Sequence, residues 1–545
     1  MNIRSIVSRD SFRFAAFAAF IGVVATGCQT YQQQNQVIHY WRAGNLTNAV
    51  AEATRMVTKN PTGKDAVIWR LEQAAVLRAN GQYEDSNKAF QQAEDQIDKY
   101  AENAKVHLGA EAGALLSNQA NLAYEGHYYD GIMVNTYKAL NYLALGEIDK
   151  ARPEIIRAYQ RQQDAVEENK RRIEKVQAEA ASHTNSVAIQ KAQDDARFKS
   201  TFQTNYTALD NLKPYSDYVN PFTVYLDGLY FMANAADASD LERAHKSFER
   251  VSGFAGDNDY VKQDLASIDG LINGKHLEPT TYVIFETGCA PERDQVRIDV
   301  PIILSKLSYV GAAFPTLRFQ DGYVSSLTVT ANNTNMNTAL LSSMDSVIGL
   351  DFKNEIPMIT TKTIASTVAK AAAAYAINDA ANQQSVVAGL FSQLATAAYQ
   401  ASVNVADTRT WTTLPKEFQV CRIPTPADHK LDLATSDGLE KSSVTLNDGA
   451  INLVYVKSIS PGTPLLVSQI KLCSASGPVA IAPAAAAPTA ATPPPAAAPA
   501  EAPVAPAAPA APAPAESTNV PTASVSGVSA AIVTEADKPA TTQVK

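Results

Sequence analysis

The residues of this chain that are best suited to catalysis or metal binding are seven histidines and four cysteines. The histidines are scattered, and no pair has the H-E-x-x-H spacing or another spacing typical of metal ligands. The sequence also lacks a G-x-S-x-G nucleophile elbow, a phosphate-binding loop and a dinucleotide fingerprint. Gly288-Cys289 has no histidine nearby in the sequence that would activate the thiol. We therefore expect no catalytic residues and no metal.

Cys28 differs from the other cysteines because its surroundings specify one reaction. A basic segment at 4–13 precedes an uncharged apolar run at 14–25, and Ala25-Thr26-Gly27 leads directly to the cysteine. These are the parts of a secretory signal peptide. Their order resembles the bacterial lipobox, in which signal peptidase II cuts before a cysteine that forms a thioether with diacylglycerol, although Ala25 stands where Leu, Val or Ile is usual. We predict a signal peptide at 1–27 and a covalent lipid on Cys28 as the only cofactor. An ordinary signal peptide followed by a chance cysteine is the alternative.

The residue after the cysteine and the overall charge indicate where the chain acts. Gln29 replaces the Asp that usually retains a lipoprotein in the inner membrane, so we expect an outer-membrane anchor facing the periplasm. Two or more acyl chains hold a protein stably at a membrane, whereas one holds it only marginally. The net charge of −9 and the isoelectric point near 5.4 argue against nucleic acid as a partner.

Three cysteines remain after lipidation, namely Cys289, Cys421 and Cys473. Export to an oxidising compartment permits a disulfide. Cys289 and Cys421 both lie in or beside strand-like stretches, so they are the preferred pair. The alternative is that all three are small buried residues.

Residues 28–274 have helical patterning with a repeated spacing. Three segments place a glycine, a hydrophobe two residues on, a small residue three further, and two apolar residues at steps of four and three; a fourth segment lacks the glycine. The segments are Gly44-Leu46-Ala49-Ala53-Met56, Gly81-Tyr83-Ser86-Phe90-Ala93, Gly146-Ile148-Ala151-Ile155-Ala158 and Leu241-Ala244-Phe248-Val251. The pattern resembles the second half of a tetratricopeptide repeat (TPR), with generic helical hairpins as the alternative. Either kind of unit must stack on its neighbours, which predicts an extended concave surface.

The rest of the chain predicts three further segments. The charged residues 161–200 predict a long solvated helix. After residue 274, two groups of short β-branched and aromatic stretches predict strands on either side of an Ala-rich helical insertion at 337–405. Asp448-Gly449 between two later strands predicts a hairpin turn. Residues 474–545 are rich in Ala and Pro and predict a disordered tail, which is either an extended spacer across the periplasm or a segment without a specific role.

The expected fold is therefore α+β and multidomain. A TPR-like helical repeat domain at 28–274 precedes a small β-sandwich-like domain at 275–473 that carries the inserted helices. The tail follows this second domain.

Three patches resemble those of an uncharacterised proteobacterial family of TPR-containing outer-membrane lipoproteins. They are N-L-A-Y-E-G-H-Y-Y-D-G-I-M-V-N-T-Y-K-A-L-N-Y-L-A-L-G at 121–146, D-F-K-N-E-I-P-M-I-T-T-K-T at 351–363 and A-D-T-R-T-W-T-T-L-P at 406–415. The resemblance covers about 32–472 in outline. Genes of that family often lie near those of lipoproteins that activate peptidoglycan synthases, which implies a role in the envelope. The family has no established catalytic residues, so none is carried over.

The densest polar and aromatic cluster in the chain consists of Glu125, His127, Tyr128, Tyr129 and Asp130. A weak binding patch is one interpretation, and Arg409 and Trp411 are candidates for the same patch. The alternative is a capped helix start with buried aromatics, with Arg409 and Trp411 as a cation–π packing pair.

These patterns lead to three functional hypotheses. The first is a non-enzymatic scaffold whose helical repeats dock envelope proteins, in peptidoglycan synthesis above all. The second is an accessory scaffold for secretion or surface-polymer export. The third is a cell-wall hydrolase with its active site in the mixed half, because active sites converge in space rather than in sequence.

Overall fold

The computed structural model describes residues 36–106, 120, 122–183, 185–303, 307–382 and 405–473. Helices fill the first part of this range and strands dominate the second, so the α+β class expected from the sequence is confirmed. The predicted signal peptide at 1–27, Cys28, the tail at 474–545 and the end of the insertion at 383–404 lie outside the described residues.

The helices of the first half pack in pairs that are consecutive in the chain, such as the helices at 46–59 and 66–79, at 128–144 and 148–182, and at 221–233 and 238–254. A short helix at 36–42 precedes them. The numbered helices are α1 (Leu46–Lys59), α2 (Ala66–Ala79), α3 (Tyr83–Val106), α4 (Tyr128–Ala144), α5 (Ile148–Ser182), α6 (Ser186–Asp194), α7 (Ala196–Asn205), α8 (Pro221–Ala233), α9 (Ala238–Phe254) and α10 (Asp259–Ile272). The charged segment predicted at 161–200 forms the second half of α5, all of α6 and the first part of α7.

Three of the helix-to-helix turns have the same construction. Gly44, Gly81 and Gly146 have φ angles of 67°, 74° and 75°. In each turn the glycine N–H donates to the carbonyl three residues back, and the next N–H donates to the carbonyl five residues back. These two bonds define a Schellman helix end, whose left-handed residue is usually glycine because a Cβ is strained there. The small residue of each following helix is fully buried, as Ala49, Ser86 or Ala151.

The strands of the described residues form three sheets, and a long helix, α11 (Met344–Asn382), follows the sixth strand. A five-stranded sheet has the order β11-β10-β1-β7-β6, a four-stranded sheet has the order β5-β4-β8-β9, and β2 and β3 form a separate antiparallel pair. The strands are β1 (Thr280–Thr287), β2 (Glu292–Ile303), β3 (Leu307–Arg318), β4 (Leu327–Ala331), β5 (Thr334–Asn337), β6 (Ala339–Ser343), β7 (Glu417–Pro424), β8 (Lys430–Thr435), β9 (Lys441–Thr445), β10 (Ile451–Ser458) and β11 (Leu466–Lys471).

The helical half and the five-stranded sheet share one hydrophobic core. Phe222 of α8 stacks on Phe418 of β7, with ring centroids 3.9 Å apart. The other face of the sheet contributes Val283 to a cluster with Leu433 of the four-stranded sheet. Because β1 is covered on both faces, all eight of its residues are buried. A separate cluster packs α6, α7 and α11 on the β2–β3 pair, and this packing positions α11.

Two predictions are wrong, one of a hairpin turn and one of a disulfide. The turn at Asp448-Gly449 does not close a hairpin, because β9 pairs with β8 while β10 pairs with β1 and β11. Asp448-Gly449 therefore joins two different sheets. The predicted disulfide between Cys289 and Cys421 is not formed either, because both residues are free thiols.

The three free cysteines are buried in separate hydrophobic clusters. Cys421 pairs across the sheet with Val283, near the middle of β1, whereas Cys289 follows the end of that strand. Four residues of strand from Val283 to Thr287 span about 13 Å, and a disulfide needs Cα atoms within about 7 Å. Burial raises the pKa of Cys289 and raises that of Cys421 to about 11. The thiols therefore match the alternative prediction of small buried residues.

Candidate functional site

The predicted patch around His127 forms the start of α4. His127 is the N-cap residue, and its backbone N–H donates to the Asp130 carboxylate at 2.9 Å. The hydroxyl of Tyr124 donates to the same carboxylate oxygen at 2.6 Å. Asp130 is fully buried and Tyr129 is 1% exposed. This part of the patch is therefore a capped helix start with buried side chains, as the alternative interpretation predicted.

The His127 side chain contacts two other elements. Its Nδ1 lies 3.0 Å from Glu355 Oε1 of α11 and 3.2 Å from Arg293 Nη2 of β2. Arg293 also donates to Glu355 Oε2 at 2.6 Å. The imidazole stacks on Tyr129, with centroids 5.3 Å apart, and these contacts fix the ring.

Asp351 lies one helical turn before Glu355 on α11, so both carboxylates project from the same face. One ligand atom from each of His127, Asp351 and Glu355 lies within 4.8 Å of the other two. Asp351 is 1% exposed, and within the described part of the chain neither of its carboxylate oxygens has a hydrogen-bond partner. We call His127, Asp130, Arg293, Asp351 and Glu355 the His127 cluster.

The two carboxylates on α11 differ in electrostatic environment. Burial raises the pKa of Asp351 well above its ordinary value, and the charge of Glu355 raises it further. Burial also acts to raise the pKa of Glu355, but Arg293 and His127 outweigh it and hold that pKa below its usual range. Glu355 is therefore the stably ionised member of the pair.

Arg409 fixes the segment before β7 against the helices. Its guanidinium bonds to Asp407 at 2.6 Å and to Asp65 at 3.1 Å, and its carbonyl lies 3.5 Å from His127 Nε2. The guanidinium lies over the ring of Tyr124, 5.4 Å from the centroid. The cation–π contact that the structure shows for Arg409 is therefore with Tyr124, whereas the alternative interpretation paired Arg409 with Trp411.

Trp411 packs away from the His127 cluster, whereas Tyr128 lies near it. Trp411 is fully buried and packs on Phe90 and Tyr137, with centroids 5.7 and 6.0 Å away. Tyr128 makes an edge contact with Tyr218 at 4.9 Å, and burial and, to a lesser extent, the charge of Asp351 raise the pKa of both tyrosines. The structure therefore brings together His127, Tyr129, Asp130 and Arg409, but it does so in the interior rather than on an exposed patch.

A cavity of about 160 Å³ lies beside the His127 cluster. His127, Arg293 and Glu355 contribute to its wall, together with α11 residues such as Thr363 and Ser366. Asp351 is not among the residues that line the cavity. The arrangement places an imidazole and one carboxylate at the cavity wall, where they could bind a ligand or transfer a proton.

Asp351, Glu355 and Arg293 were not predicted from the sequence as site residues. A usable signal was present, because D-x-x-x-E at i and i+4 places two carboxylates on one face of a helix. The sequence contains no comparable signal for Arg293, because β2 lies far from α4 and α11 in the sequence.

The three patches that carry the family resemblance meet at this site. His127 of the first patch contacts Glu355 of the second at 3.0 Å, and Tyr129 contacts Thr410 of the third at 3.1 Å. Comparisons of the chain with protein-family models, with curated proteins and with solved structures returned no match. The resemblance therefore stays a prediction. In the described part of the chain, none of the helices combines the length and apolar composition that a bilayer crossing needs.

Proposed function

We propose that this protein is an outer-membrane lipoprotein, anchored through Cys28 and facing the periplasm, that acts as a non-enzymatic scaffold in envelope assembly. Peptidoglycan synthesis is the process we favour, on the family resemblance. The lipid anchor rests on the order of the signal segment and the small residues before Cys28.

The repeated helix-to-helix turn is the observation that carries the scaffold proposal. The turns at Gly44, Gly81 and Gly146 share their left-handed glycine and both hydrogen bonds. In each following helix, the residues three, seven and ten positions after the first helical residue are buried. These residues are Ala49, Ala53 and Met56, then Ser86, Phe90 and Ala93, then Ala151, Ile155 and Ala158. We infer that these are TPR-like repeats, and arrays of this kind present extended surfaces to partner proteins.

The inner side of the repeats is already occupied by the chain itself. Thr412 donates through its N–H and its hydroxyl to Glu72 of α2, at 2.7 and 2.6 Å, and Trp411 packs between α3 and α4. A partner must therefore dock on the solvent-facing side of the hairpins. Lys88 on α3 and Lys246 on α9, which are 73% and 69% exposed, mark two separate parts of that side.

The test is a crosslinking pull-down from intact cells with the lipidated full chain, followed by mass spectrometry. A Cys28→Ser chain, which cannot be lipidated, is the matched control. We expect the lipidated chain to recover a peptidoglycan synthase or its activators, and the control to recover much less of them. Charge reversal at Lys88 and at Lys246 then shows which end of the repeats the partner contacts.

Other outcomes of the pull-down decide between the hypotheses. Recovery of secretion or polymer-export components supports the second hypothesis, an accessory scaffold for export. Failure to enrich any envelope complex over the Cys28→Ser control contradicts both scaffold proposals.

A second candidate function is hydrolysis of cell-wall glycan or peptide, which the position of His127 and Glu355 at a cavity wall favours. A carboxylate and an imidazole in contact are the groups that general acid–base catalysis uses. The purified full chain should then release soluble fragments from peptidoglycan, and Glu355→Gln should abolish the release. No release by the wild-type protein excludes this candidate.

A further inference from the structure

We infer that His127, Asp351 and Glu355 together bind one divalent transition-metal ion, of the kind represented by Zn²⁺ and Mn²⁺. The site lies where the start of α4 meets the first turns of α11. This inference is independent of the proposed function, because a scaffold and a hydrolase could each contain such an ion.

The first step is the state of Asp351. A carboxylate that is taken out of water needs hydrogen bonds or a cation as compensation. Asp351 is 1% exposed, yet neither oxygen has a hydrogen-bond partner among the residues that the structure describes. Oδ1 of Asp130 and Nε of Arg293, in the same cluster, are also buried without partners. Four of the thirteen buried side-chain atoms that lack a partner among the described residues lie in this cluster, which indicates that the cluster binds a further group.

The second step is the charge of the cluster. Asp130, Asp351 and Glu355 are three buried carboxyl groups, and Arg293 is a buried cation that bonds to Glu355. Arg172, whose side chain is 35% exposed, lines the same cavity, and its charge acts on Asp351 and Glu355. With all three carboxylates ionised, the two arginines leave one negative charge uncompensated, which favours the binding of a further cation.

The third step is the geometry. Nitrogen and oxygen donors lie about 2.0–2.2 Å from a transition metal, so two neighbouring donors lie about 3.0–3.5 Å apart. His127 Nδ1 and Glu355 Oε1 are separated by 3.0 Å, within that range. All three donor groups come within 4.8 Å of one another. Small side-chain rotations of Asp351 and Glu355, which share one face of α11, therefore suffice to close the site.

Arg293 supports the ligands rather than competing with the ion. It bonds to Glu355 Oε2, which leaves Oε1 as the donor that faces His127. Outer hydrogen bonds of this kind orient carboxylate ligands in metal sites. The contact of Arg293 with His127 Nδ1 at 3.2 Å is the one that the ion replaces.

The donor set limits the identity of the ion. One imidazole and two carboxylates suit Zn²⁺ and Mn²⁺, whereas Mg²⁺ and Ca²⁺ prefer oxygen ligands alone. Three protein ligands also leave a coordination position open. Because His127 and Glu355 line the cavity, that position faces it.

The experiment titrates the chelator-treated full chain, purified from membranes in detergent, with Zn²⁺, Mn²⁺ or Mg²⁺ alone. We expect Zn²⁺ or Mn²⁺ to bind with one equivalent per chain and to raise the unfolding temperature, and Mg²⁺ to bind far more weakly. Asp351→Asn and Glu355→Gln should each reduce the affinity at least about tenfold.

Asp264→Asn is the matched control, because Asp264 is also fully buried but has all its partners. Tyr225 and Tyr282 donate to it at 2.6 Å each, and Arg422 lies at 2.9 Å. This variant should bind the ion as the wild type does. Absence of binding to the wild-type protein, or equal binding by the wild type and Asp351→Asn, overturns the inference.

X-ray absorption of the zinc-loaded wild-type protein tests the site even where a variant fails to fold. An inner shell that contains one imidazole nitrogen together with carboxylate oxygens supports the inference. A shell without imidazole overturns it, because His127 is then not a ligand.

Discussion

Helix α4 contacts two buried charge clusters, one at its start and one at its middle. The His127 cluster lies at the start. In the middle, Lys138 is 1% exposed and donates to Glu94 and Glu154 at 2.7 and 2.9 Å. Asn135 donates to both carboxylates, and Arg161 completes the group with a 3.0 Å bond to Glu94. We call Glu94, Asn135, Lys138, Glu154 and Arg161 the Lys138 cluster.

The two clusters differ in how completely they are paired. The Lys138 cluster has two carboxylates and two cations, and its buried side-chain atoms have partners. The His127 cluster has more carboxylates than cations and leaves both oxygens of Asp351 unpaired. The same helix therefore shows that this fold can compensate buried charge fully. The unpaired atoms at its start are consistent with a site for an ion rather than with poor packing in general.

The largest effect on stability is expected from removing the central cation of the Lys138 cluster, whose buried charges are all paired. Lys138→Met removes the cation between Glu94 and Glu154 and leaves two carboxylates buried without it. Removing one partner of a buried pair typically costs about 3–5 kcal/mol. The free energy of unfolding in urea, measured against the wild type, checks this value. Lys150→Met is the control, because Lys150 is 62% exposed in a surface pair and should change stability little. If Lys138→Met lowers the free energy of unfolding by less than about 1 kcal/mol, the Lys138 cluster is not held together by the pairing described.

The second prediction concerns acid. Burial acts to raise the pKa of Glu94, but Lys138, Asn135 and Arg161 lower it to about 2. A carboxyl whose folded pKa is depressed stabilises the fold above its unfolded pKa, near 4.3, and loses that contribution as the pH falls toward the folded value. The advantage of wild type over Glu94→Gln should therefore shrink by about 2 kcal/mol between pH 6 and pH 2.5. Parallel pH curves for the two proteins rule out this role.

A smaller effect of opposite sign is expected at the His127 cluster. Asp351→Asn removes a buried carboxylate without partners and adds an amide that can donate to Asp130 or Glu355. We expect the metal-free variant to be more stable than wild type by about 1 kcal/mol at pH 7. Asp264→Asn should instead be destabilised, because it breaks a paired carboxylate. A destabilised Asp351→Asn protein means that Asp351 has partners in solution, and the contrast between the two clusters then fails.

The sequence predicts the helical half better than the sheets because helical periodicity is local. Gly81, Ser86 and Phe90 lie within one turn and one helix, and their spacing alone indicates the packing. Strand β2 was also predicted, since Ile298 and Val300 alternate with exposed neighbours. The parallel pairing of β1 with β10, however, joins Thr280 to Ile451, and no local pattern specifies a contact over that distance.

The candidate site also has a local part that the sequence indicates and a long-range part that it does not. The capped start of α4 was an open alternative in the sequence, because a polar residue followed by Asp130 three positions later is a local signal. The contact of His127 with Glu355 and Arg293 brings together three elements separated by more than 60 residues each. Only the packing of α11 on the β2–β3 pair creates it. The free state of Cys289 and Cys421 depends on sheet register in the same way.

The smallest effect should distinguish the two arginines near Asp351. Arg172 is 35% exposed, pairs with Glu125 at 3.5 Å and lies over the ring of Tyr128, so Arg172→Gln should cost about 0.5–1 kcal/mol. Arg293→Gln removes the same charge from a buried pair with Glu355 and should cost several times more, because 4% of that arginine is exposed. Urea unfolding of both variants measures the difference. If Arg172→Gln costs as much as Arg293→Gln, Arg172 compensates the buried carboxylates as strongly as Arg293 does, and the remaining negative charge is too small to require a divalent ion.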